Sequence, residues 1–133
     1  MELFTMDEKC IFCNLIKNVD KDRVIYEDST WIALLDGYPV SEGHTLLIPK
    51  RHCETYFDLN FVETDSIAAT INVVKGILDS KYKPNGYNIG ANCGEAAGQT
   101  VHHCHIHIIP RYNGDVENPR GGVRGCIPHK MSY

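Results

Sequence analysis

Short apolar runs separated by turn residues dominate the first half of the chain and predict β-strands. These runs span 23–27, 31–36, 44–49 and, after a longer interval, 87–91, and each borders Asp, Gly or Pro on at least one side. Only Asp28-Ser29-Thr30 separates the first two runs, so we expect them to pair as a hairpin. The segment 37–43 contains Gly and Pro and is predicted to be a loop.

One long helix is predicted between the third and fourth runs, from Asn60 to Tyr82. Asn60 is a favoured N-cap residue, and Glu63 follows three residues later, as in a capping box. Apolar residues then recur at helical spacing and predict one buried stripe, made of Ile67, Ile71, Val74, Ile77 and Leu78. Pro84 and Gly86 mark the end of this helix. The apolar spacing over 10–16 predicts a second, short helix.

A histidine-rich stretch at 99–110 has the alternating pattern of a fifth strand. His103, His105 and His107 lie two residues apart, so on a strand they share one face, with about 7 Å between neighbours. Cys104, Ile106 and Ile108 then form the opposite, core-facing side. Three histidines on a buried face are costly unless each has a partner, which indicates a site.

These elements predict an α+β fold with an antiparallel sheet of about five strands, one long helix and one short helix. Hairpin-like connections outnumber strand–helix–strand alternation, so we expect the helices to lie on one side of the sheet. The 133 residues predict a single domain over 1–133, with its core at about 10–112 and a Gly- and Arg-rich C-terminal arm at 113–133.

The composition excludes several broad classes of protein. The net charge of −4 argues against a general nucleic-acid binder, and no long apolar run predicts a signal peptide or a membrane span. We therefore expect a cytoplasmic protein with no nucleic-acid or membrane partner. In that compartment, the six cysteines are predicted to be reduced.

The three histidines favour either a metal site or phosphoryl-group chemistry. Neutral imidazole is both a metal ligand and a nucleophile near neutral pH. On an extended strand, however, the backbones of His103 and His107 are about 13 Å apart, too far for one ion to bind all three rings easily. Different histidines are therefore expected to have different roles.

Cys10-x-x-Cys13 and three arginines complete the candidate chemistry. The two thiols could be buried, could form a redox pair or could bind structural zinc, which needs two further ligands. His52 and one of the three histidines are available for that purpose. Arg111, Arg120 and Arg124 either bind phosphates or belong to a solvated tail.

The motif His103-Cys104-His105-Ile106-His107-Ile108-Ile109 resembles that of the histidine-triad (HIT) family of nucleotide hydrolases and transferases. The segments Leu35-Asp36, Gly43-His44-Thr45-Leu46-Leu47-Ile48-Pro49-Lys50 and Gly98-Gln99-Thr100-Val101 resemble the family as well. The similarity covers nearly all of 10–112 and is strongest to the small Hint-type and bacterial members. The sequence after the triad, 110–115, is more similar to Fhit-like members that hydrolyse dinucleoside polyphosphates.

This resemblance implies a role for each matching residue. His105 would be the nucleophile that attacks the α-phosphate of an adenosine or other purine nucleotide conjugate, forming a nucleotidyl-histidine that water cleaves. His107 would contact the phosphate oxygens, and His103 would complete the catalytic triad. The residues implied in nucleotide binding are Asp36, His44, Asn92, Gln99, Thr100, Ile11 and Phe12.

The resemblance also implies a structural zinc ion and a homodimer. Family members with an N-terminal Cys-x-x-Cys bind zinc, and the matching ligands here are Cys10, Cys13, His52 and His103. The dimer would form through the long helix and a strand edge. The leaving group stays open between an amine and a polyphosphate, with the three arginines favouring the polyphosphate. The alternative function is a nucleotide-binding scaffold whose hydrolysis is vestigial.

Overall fold

A five-stranded antiparallel sheet separates two α-helices that pack on its opposite faces. The structure is a computed structural model and describes residues 7–133. The strand order is β1-β2-β3-β5-β4, all neighbours being antiparallel. The elements are α1 (Ile11–Lys17), β1 (Val24–Glu27), β2 (Trp31–Leu35), β3 (Thr45–Pro49), α2 (Phe61–Tyr82), β4 (Gly86–Gly90) and β5 (Ile106–Arg111). The predicted α+β class, strand number and two helices are confirmed.

The central strands explain why the first apolar runs are continuous and do not alternate. Successive residues of a strand point to opposite faces, and both faces of β2 and β3 are covered. One face packs against α2 and contains Trp31, Ala33, Leu47, Val74 and Leu78. The other face packs against α1 and contains Phe12, Ile32, Leu34, Leu46 and Ile48.

The expectation that both helices lie on one side of the sheet is therefore wrong. Phe12 of α1 packs with Ile32 and Leu34, whereas Val74 of α2 packs with Ala33 on the opposite face. The apolar pattern of a helix shows which of its own faces is buried, but not against which face of the sheet. That choice depends on chain connectivity and on the contacts of Cys10 and Cys13 at the start of α1.

Helix α2 begins and ends as the sequence predicts. The Asn60 side chain accepts from the Glu63 backbone N–H, and the Glu63 carboxylate accepts from the Asn60 N–H. Lys83 adopts the left-handed conformation (φ 53°) and donates its N–H to the Asp79 carbonyl, which closes the last turn. None of the helices of residues 7–133 is long and apolar enough to cross a membrane.

The predicted fifth strand is shorter than the histidine stretch. Strand β5 begins at Ile106, so only His107 of the three histidines is in the sheet. Pro49 has no N–H to extend the ladder, and its carbonyl accepts a hydrogen bond from the His103 ring. The prediction that all three histidines line one strand face is thus wrong, although Ile106 and Ile108 do face the core as expected.

A partly buried ion pair fixes the segment that follows β3 to the start of α2. Arg51 donates to both carboxylate oxygens of Glu63, at 3.0 and 2.8 Å, and Glu63 is almost fully buried. Since this carboxylate also belongs to the helix cap, one side chain joins the two elements. The neighbouring residue His52 is held in place as a result.

The C-terminal arm, residues 113–133, folds back along β4 and on itself. It contains two 3-10 helices, Gly122–Cys126 and Pro128–Lys130. A side chain at Gly121 would collide with the Met131 carbonyl, and Gly121 has a positive φ of 96° that favours glycine. The arm is thus a folded segment whose conformation depends on this glycine.

Two adjacent valines of α2 test the assignment of its buried face. Val74→Ala should lower the free energy of unfolding by about 2 kcal/mol or more, because Val74 is 0% exposed and truncation leaves a cavity. Val73, 46% exposed, provides the matched control, and Val73→Ala should cost well under 1 kcal/mol. Urea denaturation measures both, and equal losses would contradict the assignment.

Candidate functional site

His103 lies in the interior and connects two groups of side chains. Its Nε2–H donates to the Pro49 carbonyl at 2.8 Å, since a carbonyl oxygen only accepts. The neutral ring therefore keeps a lone pair on Nδ1, and that atom is 3.4 Å from Cys10 Sγ and 3.5 Å from Cys13 Sγ. Burial lowers the pKa of His103 to about 4, so the ring is neutral at pH 7.

The predicted metal ligands come together in one cluster. Cys13 Sγ lies 3.3 Å from His52 Nδ1, and the donor atoms of Cys10, Cys13, His52 and His103 all lie within 4.8 Å of one another. A tetrahedral zinc ion bonds sulfur at about 2.3 Å and nitrogen at about 2.0–2.1 Å, which separates neighbouring ligands by about 3.5 Å. The observed spacings match that geometry.

The surroundings of the two sulfur atoms also suit thiolate ligands. Backbone N–H groups point at both: Cys13 N–H at Cys10 Sγ (3.3 Å) and Asp7 N–H at Cys13 Sγ (3.4 Å). Burial raises the pKa of the metal-free Cys13 thiol to about 11, opposed by the Asp7 hydrogen bond. A divalent cation would supply the charge that a buried thiolate needs. The cluster is therefore able to hold a metal ion.

His105 is held with one ring nitrogen ready to act as a nucleophile. Its Nδ1–H donates to the His103 carbonyl at 2.8 Å, which leaves the lone pair on Nε2. Phe12 packs edge-on against the ring, with centroids 4.9 Å apart, and fixes its plane. A neutral imidazole with an available Nε2 is the form required for attack on phosphorus.

His107 is held in the opposite protonation pattern by a chain of hydrogen bonds. The Val40 N–H donates to His44 Nδ1 at 3.1 Å, so the proton of the neutral His44 ring lies on Nε2. His44 Nε2–H then donates to His107 Nδ1 at 2.9 Å, which leaves His107 with an Nε2–H donor. The ring centroids of His105 and His107 are 5.2 Å apart. The lone pair of His105 Nε2 and the Nε2–H donor of His107 therefore lie on neighbouring rings.

The His44 and His107 rings are both neutral at pH 7 because they are buried. Burial is the main cause that lowers the pKa of His107 to about 4; the neighbouring His105 and His44 rings add to the shift, and the Asp36 carboxylate opposes it. Burial also lowers the pKa of His44, opposed by the Asp36 carboxylate, whose Oδ2 is 3.4 Å from His44 Nε2. Asp36, His44 and His107 could formally group around a cation. A metal ion on His44 Nε2 would, however, move the ring proton to Nδ1, and that nitrogen could then no longer accept the hydrogen bond from the Val40 N–H.

A cavity of about 850 Å³ opens beside His44 and His107. Of the predicted nucleotide-binding residues, Asn92 joins His44 in its wall. The remaining wall comes from the loop 37–43, β4, the loop before the triad, β5 and the C-terminal arm: Val40, Asn88, Ile89, Gly90, Ala91, Ala96, Ala97, Gly98, Ile109, Gly122, Val123, Cys126 and Ile127.

Five predicted nucleotide-binding residues do not line this cavity: Asp36 and Phe12 lie beside His44 and His105, and the other three lie elsewhere. The buried Gln99 amide accepts from the Gly94 N–H and donates to the carbonyls of Glu54 and Val101, so it holds the loop together. Thr100 and the exposed Ile11 border a separate cavity of about 230 Å³ beside the Cys10, Cys13, His52 and His103 cluster. Their role in nucleotide binding stays a prediction.

The three arginines are engaged within the chain. Arg111 donates to Asp115, at 2.8 Å for each of two bonds, and to Asn88. Arg124 donates to the carbonyls of Met131 and Lys130, and its guanidinium lies 4.8 Å from the Tyr133 ring centroid. Arg120 contacts the same ring at 4.8 Å. None of these guanidinium groups lines the cavity of His107.

Sequence reasoning missed two contributions to the site. The Val40 backbone N–H fixes the proton on His44, but a backbone donor leaves no signal in residue identity. Val123 and Ile127 reach the cavity through the fold of the arm, which has no periodic apolar pattern. The Gly and Pro residues of the loop 37–43 predict a turn close to His44. They do not predict that the Val40 N–H is the atom that positions the His44 ring.

Comparison with known proteins identifies the family to which this arrangement belongs. The family model described as the HIT domain matches residues 17–114. The chain belongs to the HIT family. A HIT-like protein of Methanocaldococcus jannaschii is 42% identical over 114 residues, which covers 81% of this chain and 83% of the relative.

Two further HIT relatives carry more specific descriptions. The adenylylsulfatase HINT3 of Arabidopsis thaliana is 37% identical over 118 residues, covering 86% of this chain and 58% of HINT3. The crystal structure of a Zn-bound histidine triad family protein from Mycobacterium smegmatis is 35% identical, with a TM-score of 0.73, covering 83% of this chain and 80% of the other. The HIT resemblance inferred from the triad is confirmed.

The depressed pKa of His107 makes a testable contribution to acid sensitivity of this HIT domain. In the unfolded chain a histidine binds a proton near pH 6.5, whereas His107 in the fold binds one only near pH 4. Between these values the unfolded state binds more protons, so this residue makes stability fall as pH falls from about 6.5 to about 4. His107→Asn should therefore lose less stability than wild type over that interval.

The measurement is urea denaturation at stepped pH under the same metal conditions for both proteins. Exposed His102 provides the control, and His102→Asn should keep the wild-type pH dependence. Equal slopes in wild type and His107→Asn would show that His107 is not held neutral by the fold.

Proposed function

We propose that this HIT protein is a nucleotide hydrolase that acts through a covalent nucleotidyl-histidine on His105. The main support is the pair formed by the His105 Nε2 lone pair and the His107 Nε2–H donor, with ring centroids 5.2 Å apart. The lone pair attacks phosphorus, and the donor stabilises charge on the phosphoryl oxygens in the transition state. The substrate is a purine nucleotide conjugated at its α-phosphate.

The reaction takes place in two displacement steps. His105 Nε2 forms a bond to phosphorus while the bond to the leaving group breaks, and the leaving group takes that electron pair. A nitrogen leaving group also gains a proton, which comes from water at the open cavity, while His107 keeps its Nε2–H and donates it in a hydrogen bond to the phosphoryl oxygens. Water then attacks phosphorus, the Nε2–P bond breaks with its electron pair returning to Nε2, a proton passes to solvent, and the nucleoside monophosphate is released.

The remaining residues orient this pair or bind the nucleotide. His44 positions His107, since its Nε2–H fixes which nitrogen of His107 accepts. The carboxylate of Asp36 accepts hydrogen bonds from the ribose hydroxyls. It is suited to this role because it is half-buried and lies beside His44. Phe12 contacts the nucleoside from the side of His105, and Asn92 contacts the phosphate from the cavity wall. The adenylylsulfatase name of the Arabidopsis relative agrees with an adenylyl conjugate as substrate.

The covalent step is tested by trapping the intermediate. Wild type incubated with an adenosine phosphoramidate and quenched in mild base should carry an added AMP mass on the peptide that contains His105. His105→Ala should form no adduct and lose at least about 10³-fold in kcat/KM, since the nucleophile is gone. Mass spectrometry and product chromatography provide the two readouts.

His102→Ala serves as the control, because His102 is exposed and outside the hydrogen-bonded group. It should retain both adduct and turnover. Nucleotide binding without adduct or turnover in wild type would instead support the alternative of a scaffold with vestigial hydrolysis.

We further propose that Cys10, Cys13, His52 and His103 bind a structural zinc ion. The donor spacing, the N–H groups directed at sulfur and the lone pair on His103 Nδ1 support this assignment. With four protein ligands the site would be closed, which is typical of a structural ion. Bound zinc would cross-link α1 to the segments around His52 and His103.

Metal analysis tests the zinc assignment. Reduced wild type should contain about one zinc per chain, and Cys13→Ser should contain almost none and unfold at a lower temperature. Cys126→Ser, which removes an exposed thiol outside the cluster, should keep both zinc and stability. Zinc well below one per chain in the reduced wild type would contradict the assignment.

Three broader predictions complete the proposed function. The single domain over 1–133, with its core at about 10–112, accommodates both the site and the arm. Cytoplasmic location remains an expectation from the sequence. The homodimer through α2 and a strand edge is likewise a prediction, for which β4 at one end of the sheet supplies a candidate edge.

A further inference from the structure

The loop between β2 and β3 contains the backbone group that sets the proton of His44. The Val40 N–H donates to His44 Nδ1 at 3.1 Å, so the neutral ring carries its proton on Nε2. That Nε2–H donates to His107 Nδ1 at 2.9 Å, which leaves His107 with its own Nε2–H. The position of this loop therefore decides whether His107 is a donor or an acceptor towards a phosphate.

A tight turn connects this loop directly to His44. The His44 N–H donates to the Ser41 carbonyl at 3.1 Å, which closes a four-residue turn over 41–44. Gly43, at the third position of the turn, has a positive φ of 86°, in the region that a type II turn requires there. A side chain at this glycine would lie 2.8 Å from the Tyr82 ring and 3.2 Å from Pro110, so the turn packs closely against both. Any movement of Ser41 is thus passed on to His44.

Two hydroxyl groups hold the turn against the end of β5. The Ser41 hydroxyl donates to the Pro110 carbonyl at 2.6 Å. The Tyr112 hydroxyl donates to the Glu42 carbonyl at 2.7 Å. Pairing between β3 and β5 ends at Ile108, so Pro110 lies beyond that ladder, and the Ser41 hydroxyl provides its carbonyl with a partner.

Strand β5 therefore carries both the histidine that is oriented and the anchor of the turn that orients it. His107 lies near the start of β5, and Pro110 lies near its end. Because both lie on one strand, a displacement of the turn relative to β5 acts directly on the hydrogen bond between His44 and His107.

The opposite proton arrangement would remove the hydrogen-bond donor from the site. A His44 ring with its proton on Nδ1 would present the Nε2 lone pair to His107, whose proton would then lie on Nδ1. His107 Nε2 would carry a lone pair that repels phosphoryl oxygens. The Asp36 carboxylate, 3.4 Å from His44 Nε2, favours the productive arrangement as well. Loss of the Ser41 hydrogen bond is therefore expected to weaken the donor without abolishing it.

We propose that Ser41, supported by Tyr112, is a positioning residue for His107. The two hydroxyl groups hold the turn so that the Val40 N–H stays on His44 Nδ1, which keeps the donor on His107. Neither Ser41 nor Tyr112 lines the cavity of His107, so both act through the turn. This inference rests on the proposed function and adds residues that orient its transition-state donor.

Hydrolysis of an adenosine phosphoramidate by the full chain measures the effect on the reaction. Ser41→Ala should lower kcat about tenfold and leave KM nearly unchanged, because the donor acts on charge that develops in the transition state. This decrease is smaller than the roughly 10²- to 10³-fold cost of removing such a donor outright. Tyr112→Phe should lower kcat less. Ser41→Thr, which keeps a hydroxyl, should restore most of the wild-type kcat.

The 15N chemical shifts of the imidazole nitrogens distinguish positioning from a general loss of stability. In wild type, Nδ1 of His44 should have the shift of an unprotonated nitrogen, and Nε2 of His107 that of a protonated one. Ser41→Ala should move both shifts toward the opposite protonation state, because the two proton arrangements then exchange. A role in stability alone would leave these shifts unchanged.

Two matched variants remove a hydroxyl group elsewhere in the fold. Ser66→Ala deletes the acceptor of the Trp31 Nε1–H, at 2.8 Å, on the face of the sheet that α2 covers. Tyr26→Phe deletes the hydroxyl that donates to Asp28 beside β1, at 2.8 Å. Both should keep the wild-type kcat and the wild-type 15N shifts, even where they lower stability.

Two outcomes overturn the inference while the proposed function stands. One is an equal decrease of kcat in Ser41→Ala and Ser66→Ala, and the other is a set of 15N shifts that Ser41→Ala leaves unchanged. A wild type that hydrolyses no conjugate and forms no adduct on His105 overturns the proposed function, and this inference with it. Wild-type activity therefore distinguishes the two failures.

Discussion

The hydrogen bond from His103 Nε2–H to the Pro49 carbonyl is the interaction on which the site depends. It fixes the proton of a buried ring, so that Nδ1 presents its lone pair to Cys10 and Cys13. It also draws the chain out of the sheet ladder before Ile106. In this bent segment the His103 carbonyl accepts from His105 Nδ1–H. One bond thus orients both the Cys/His cluster that could hold a metal ion and the proposed nucleophile.

Burial makes the histidines useful by keeping them uncharged. His103, His44 and His107 have lowered pKa values, and each has a partner that decides which nitrogen carries the proton. Those partners are backbone groups or other rings, which are rigid because they belong to the sheet or to short loops between strands. The free-energy cost of placing polar rings in the interior is offset by hydrogen bonds that also define their chemical roles.

One face of the sheet contributes mainly to the stability of the fold, and the other face contains the candidate site. Helix α2 covers one face with a large apolar contact, whereas the other face carries the small α1, the histidines and the cavity. A strong core on one side permits open space on the other without loss of the fold. The match to the HIT family model ends at residue 114, so nearly all of the C-terminal arm, which forms one wall of the cavity, lies beyond the matched segment.

The sequence alone determined the first four strands, the long helix with its Asn60–Glu63 cap, and the residue types of the Cys/His cluster and the triad. These follow from local patterns, such as apolar periodicity, capping residues and motif spacing, that do not depend on distant contacts. Tertiary structure decided on which face α1 packs, where β5 begins and which nitrogen of each histidine is protonated. It also decided that Arg111 and Arg124 bind the chain itself while Val123 and Ile127 reach the cavity. These features depend on partners far away in sequence, often backbone carbonyl and N–H groups that every residue carries, so residue identity gave no signal for them.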